Sequence, residues 1–271
     1  MRTFIAALVL LAASGAAASA QPAQRCSHDT FSVAAQAVTV TVCAGAPDSG
    51  NTIRVSRELG LNLPVICCHG ALTKDFGANK TLETIPVPLQ YAKPMIEMAQ
   101  REHLAVAVYV DEAFYRPEGS EIVMDDMRGP GWYEVPSLLE VLSAAPTFIR
   151  FLGEASVRRM LEAFGDLPLS FRHESWFDFV ECAVLNRNAS KKNALARLAA
   201  DFGIPAERVL AIGDSRNDVP MLRWAGTGVA MGNALAEVRQ SVQHVTARND
   251  QDGVALAIER FALTVAAKKT A

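Results

Sequence analysis

Apolar runs and polar breaks alternate along the last third of the chain at the spacing of strand–helix units. Val209, Leu210, Ala211 and Ile212 are apolar without alternation, the pattern of a parallel strand covered on both faces, and Gly213 breaks it. The stretch KKNALARLAADFG before that run has helical spacing and a stop at Gly203, and residues 219–225 predict a short helix after it. GTGVAM then predicts a strand, ALAEVRQSV a helix, HVTA a short strand and DGVALAIERFAL a closing helix. Strands alternating with helices in this way make half of a doubly wound sheet. Upstream the same style recurs, with a helix near DTFSVAAQA, a strand VTVTV, a helix ending in RELGL and a strand PVICC.

The middle of the chain differs. It reads helix QYAKPMIEMAQREH, strands LAVAVYV and AFYRP, a turn RGPGW, strand TFIRFLG, helix ASVRRMLEAFG, and strands LPLSFRH and WFDFVECAV. Strands that follow one another directly predict an α+β insert with its own sheet. The expected fold class is therefore α/β, a doubly wound, Rossmann-like parallel sheet carrying an inserted α+β domain. The boundaries fall at 1–86 for the first part of the core, 87–188 for the insert, 189–266 for the rest of the core and 267–271 for a tail.

Composition narrows the partners. With 271 residues and 50% hydrophobic positions the chain can bury a full core, and a net charge of −3 gives no footing for nucleic acid. Cys26, Cys43, Cys67, Cys68 and Cys182 show neither a CxxC pair nor zinc spacing, so free, buried thiols are expected. The glycines of GTGVAMG lack the strand-to-helix context of a dinucleotide site. Oligomeric state has no signature in the sequence.

The chemistry concentrates in RVLAIGDSRNDVPML. Asp214 and Asp218 follow the end of the predicted strand, and Pro220 suits the first turn of the next helix, where its missing N–H costs nothing. Two readings stand side by side: Asp214 as a turn residue with Asp218 as the helix cap, or both as oxygen ligands crowded with Asn217 around a hard cation such as magnesium.

Several stretches together resemble a known family. SKKNALARLAADFGI, AIGDSRNDVPML, AGTGVAMGNA, NDQDGVALAIERF and RELGLNLPVICCHGAL are similar, in this order, to motifs of the Cof-type branch of the haloacid dehalogenase-like (HAD) phosphatases. The resemblance implies magnesium-assisted phosphoryl transfer from a small phosphorylated metabolite, with an aspartate nucleophile at the end of the first strand. It implies Asp214 as a metal ligand, Asn217 and Asp218 as its supporting shell, and Lys191 as the phosphate-facing lysine. It places His69 and Gly70 at the substrate, where the family usually has Asn-Gly, and makes the insert a cap that chooses the substrate. The family's Lys-Gly is here Lys191-Lys192.

The upstream half departs from the pattern. By spacing, the DxDGT sequence of the family falls within FIAALVLLAA, where Leu8 and Leu10 take the aspartate positions, and the second motif falls on CAGAP, with Ala44 and Ala46 in place of its hydroxyl and arginine. Thr41 lies nearby but out of register. The same N-terminus, MRTFIAALVLLAASGAAASAQ, has the outline of a cleavable signal peptide ending at Ala18-Ser19-Ala20, and it is short of a stable membrane span. A degenerate first strand, a signal peptide and a shift of reading frame over the first fifty or so residues are the open alternatives. The fold favours a retained strand and a cytoplasmic protein, because removing a central strand would uncover its neighbours; export is the alternative.

Overall fold

Most of the apolar runs become strands where the alternation places them. The structure is a computed structural model that describes residues 64–120, 131–176 and 179–263, together with the backbone of two earlier strands, β1 (Ala7–Ala12) and β2 (Val38–Val42). The predicted helices near DTFSVAAQA and RELGL, the motif position CAGAP, Cys26, Cys43 and the tail 267–271 lie outside the described residues. Cys67, Cys68 and Cys182 are buried thiols outside any disulfide, as expected.

Contacts divide the chain into two compact units, with the second running through Glu83–Ala189. The first unit contains a five-stranded sheet of order β14-β13-β12-β1-β2. Its strands β12 (Val209–Gly213), β13 (Thr227–Ala230) and β14 (His244–Val245) are parallel, with Gly213 beside Ala230 at their carboxyl ends. All five residues of β12 are buried, which is why the run carries no polar alternation.

The helix α4 (Lys191–Asp201) precedes β12, α5 (Val219–Trp224) and α6 (Ala236–Gln240) lie between these strands, and α7 (Gly253–Ile258) follows β14. This is the doubly wound half that the sequence predicts. β3 (Val65–Cys67) continues through a tight turn at Cys68–Gly70 into β4 (Leu72–Asp75), which forms a three-stranded sheet with β3 and β5 (Lys80–Thr84). The β4–β5 hairpin is absent from the sequence reading, although Asp75 and Asn79 mark its turn. The Asp75 carboxylate accepts from the Ala78 N–H at 2.9 Å, and Asn79 adopts a positive φ of 48°.

One expectation is corrected. FIAALVLL does form a strand next to β12, but β1 runs antiparallel to both β12 and β2. Leu8 lies opposite Ile212 and Leu10 opposite Leu210, so neither ends the strand, and the carboxyl end of β1 sits beside Val209 at the far end from Asp214. The sequence ALVLLA reads almost the same in either direction, so its pattern cannot set the strand's polarity, and antiparallel pairing is slightly the more stable per residue.

The second unit holds a six-stranded sheet of order β10-β11-β9-β6-β7-β8. Its strands are β6 (Val106–Val110), β7 (Ala113–Pro117), β8 (Trp132–Val135), β9 (Phe148–Leu152), β10 (Leu169–Trp176) and β11 (Phe179–Asn186). Three helices accompany them, α1 (Leu89–Arg101), α2 (Leu138–Val141) and α3 (Glu154–Phe164). The apolar faces of α1 (Met95, Ile96) and α3 (Val157, Met160) pack on Val108, Ile149, Phe151 and Val184. Each such side chain contributes ~1.5–3 kcal/mol by leaving water, and together they make this the unit's core.

Candidate active site

The acidic turn after β12 is built around a buried ion pair. Lys191 opens α4 behind the cap of Ser190, whose hydroxyl accepts from the Asn193 N–H at 3.1 Å. Its ammonium donates to the Asp218 carboxylate at 2.6 Å, and both side chains are wholly buried. The other Asp218 oxygen accepts from the Asp214 and Ser215 N–H groups at 3.1 and 3.0 Å. Both Asp218 oxygens are thus engaged, and this residue positions the turn.

The reading of Asp218 as a cap for the following helix is corrected: its side chain makes no capping bond to α5. It completes a reciprocal capping box with Ser215 around the short turn Arg216–Asp218. Ser215 is the residue that the sequence reading passed over, and the Ser-x-x-Asp spacing was the available sign of it. Pro220 lies in the first turn of α5, as expected. Gly213 makes the fold-back possible, since a Cβ there would stand 2.7 Å from that of Asp218.

Asp214 is the carboxylate outside the ion pair. It is partly buried and accepts a hydrogen bond from the Ser215 hydroxyl at 3.2 Å. Burial, and then the charge of Asp218, raise its pKa above the ordinary carboxylate value, so the ionised form is held at a cost that a nearby cation would remove.

His69 and Gly70 are brought to the same place. The Asn217 side-chain amide lies 2.9 Å from His69 Nδ1, which accepts from it, and the Asn217 Oδ1 is buried with no hydrogen-bond partner. Cys68, His69 and Gly70 all have positive φ, at 50°, 53° and 95°. Gly70 is required twice over, for that φ and because a Cβ would stand 2.3 Å from the Ser190 carbonyl group. The structure therefore gathers Lys191, Asp214, Asn217, Asp218, His69 and Gly70 around one strand end. Among the described residues no group of three or more Asp, Glu, His or Cys side chains is placed to hold a metal ion.

Comparison with known proteins identifies the family. Residues 31–258 match the family model described as haloacid dehalogenase-like hydrolase. The pyridoxal phosphate phosphatase YbhA of Escherichia coli is 33% identical over 212 residues, covering 73% of this chain and 77% of the relative. The 5-amino-6-(5-phospho-D-ribitylamino)uracil phosphatase YitU of Bacillus subtilis is 24% identical over 234 residues, covering 82% and 84%. A solved haloacid dehalogenase-like hydrolase from B. subtilis superposes with a TM-score of 0.66 at 24% identity, covering 82% of this chain and 87% of that one.

Proposed function

From its membership of the Cof-type branch of the haloacid dehalogenase-like hydrolases, to which this chain belongs, we propose that its site serves phosphomonoesters of small metabolites. The relatives named above are phosphatases, and the chemistry proposed for the family site is magnesium-assisted phosphoryl transfer. The observation that carries the reading is the Lys191 ammonium, buried and fixed on Asp218 at 2.6 Å, next to a carboxylate, Asp214, that burial leaves short of positive charge. In this reading Lys191 turns its remaining N–H donors toward the phosphate, and Asp218 holds the ammonium in place.

Magnesium fits the donor set as a weak site. Asp218 has no oxygen to give, so Asp214 is the carboxylate ligand, and the orphaned Oδ1 of Asn217 is a second hard oxygen. When bound there, the ion would neutralise phosphate oxygens. A set this small leaves magnesium its waters and makes its affinity depend on the phosphate that arrives with it.

A second reading, a catalytically silent protein that binds the phosphorylated ligand, is favoured by β1. The strand that should end in the nucleophile runs the other way and brings Ala7 to Gly213. No aspartate from β1 stands beside Asp214 in this register, while Lys191 and Asp214 remain to bind. The expected result is saturable binding of pyridoxal phosphate or a sugar phosphate with magnesium, and phosphate release no faster than in buffer. Magnesium-dependent release abolished by Asp214→Ala would make the chain an active hydrolase; absence of both binding and release would overturn both readings. We propose a cytoplasmic location on the same structural ground, that β1 is an interior strand of the sheet.

A further inference from the structure

The turn that carries His69 is held in a backbone conformation that most side chains avoid. His69 is buried and left-handed, at φ 53° and ψ 23°, between Cys68 and Gly70, which also have positive φ. Among residues other than glycine only Asn, Asp and His enter this region with any frequency, and they stay there where the surroundings over-determine them. Here the surroundings are the start of α4, since Gly70 lies so close to the Ser190 carbonyl that no Cβ fits between them. The direction of the imidazole is therefore set by a locked backbone.

That ring meets a second locked turn. Asp218 is fixed by the Lys191 ammonium at 2.6 Å and by the Asp214 and Ser215 N–H groups, and Asn217 precedes it. The Asn217 amide stands 2.9 Å from His69 Nδ1, and its Oδ1 is buried with no hydrogen-bond partner. With the Nδ2 end toward the ring, the amide leaves one acceptor open. Reversed, it would bury an NH2 group and leave both N–H donors unmade, which is the costlier arrangement. The favoured orientation requires Nδ1 to accept, so the ring carries its proton on Nε2.

We propose that His69 is a positioning residue: by accepting from Asn217 it holds the Asn217 Oδ1 open toward the cation that Asp214 is to meet. The inference rests on the reading of Asp214 and Asn217 as oxygen ligands, and it assigns His69 an action through Asn217 in place of contact with the substrate. An outer hydrogen bond of this kind fixes which atom of a ligand faces the metal. The orphaned Oδ1 and the strained turn then have one explanation, since a single hydrogen bond presents the first and needs the second.

Two measurements on the full chain test it. Proton–nitrogen NMR with labelled histidine should find the His69 proton on Nε2; a proton on Nδ1 would reverse the amide and overturn the proposal. Manganese, which favours the same oxygen ligands as magnesium, is then titrated with inorganic phosphate present and followed by EPR. The wild type should bind it and Asp214→Asn should not. A wild type that binds no manganese would overturn the cation reading itself, and the role of His69 with it. Given wild-type binding, His69→Gly keeps the positive φ and removes the acceptor, so affinity should fall about tenfold, the usual effect of losing the outer partner of a ligand. Asparagine tolerates the same φ and carries its Oδ1 at the branch position of the imidazole Nδ1, so His69→Asn should bind close to wild type. Undiminished affinity in His69→Gly, or equal loss in both variants, would overturn the role of His69 and leave the cation site standing.

Discussion

At the scale of the residue, the site is governed by one buried charge pair. Lys191→Met would leave the Asp218 carboxylate wholly buried with only two backbone donors, and breaking a buried pair in this way costs ~3–5 kcal/mol. Urea denaturation should register that loss, whereas a change below ~1 kcal/mol would mean that the pair contributes little to the native state. Asp214 gives the opposite dependence. Its pKa is raised in the folded chain by burial and by Asp218, so the stability linked to its protonation is whole below the ordinary carboxylate range and is lost as pH rises through the raised value. Denaturation followed upward from about pH 4 should show a component of declining stability that Asp214→Asn removes. Added magnesium should recover that component in the wild type and leave the variant unchanged.

Strand direction is the decisive property at the scale of the element. Aspartate at position 8 or 10 would serve a phosphoryl transfer only if β1 ran parallel to β12 and delivered its carboxyl end to Asp214. The antiparallel register puts Leu8 opposite Ile212 and Leu10 opposite Leu210, inside the sheet. Leu8→Asp should therefore fail to create phosphatase activity. Magnesium-dependent turnover in that variant would show that the strand takes the other direction in solution. Elements with an asymmetric pattern gave no such trouble. The α4 helix has a serine cap, one buried face and a glycine stop, and it forms where the sequence places it.

For the molecule as a whole, β1 decides what happens to the N-terminus. It stands between β12 and β2, and cleavage after Ala20 would remove it and leave both neighbours with unpaired backbone groups, each costing ~1–3 kcal/mol beyond the lost apolar burial. Intact-mass measurement on soluble protein from its own host should then find the chain uncleaved. A stable folded product starting at Gln21 in an exported fraction would refute both the cytoplasmic location and the place of β1 in the sheet.

The sequence by itself determined the elements whose pattern has a direction or a period. Those are the buried β12 run, the α4 and α5 helices around it, the parallel order of the last three strands, and the Gly-Asp-Ser-x-x-Asp turn that gathers the site. Local sterics and burial act on neighbouring residues, so these features are written locally. Tertiary structure alone decided the polarity of β1, because ALVLLA has no polar end to orient it. It also decided which carboxylate is free. Asp214 and Asp218 look equivalent in the sequence, and only the approach of Lys191 from another helix takes Asp218 out of reach of a cation and leaves Asp214 to meet one.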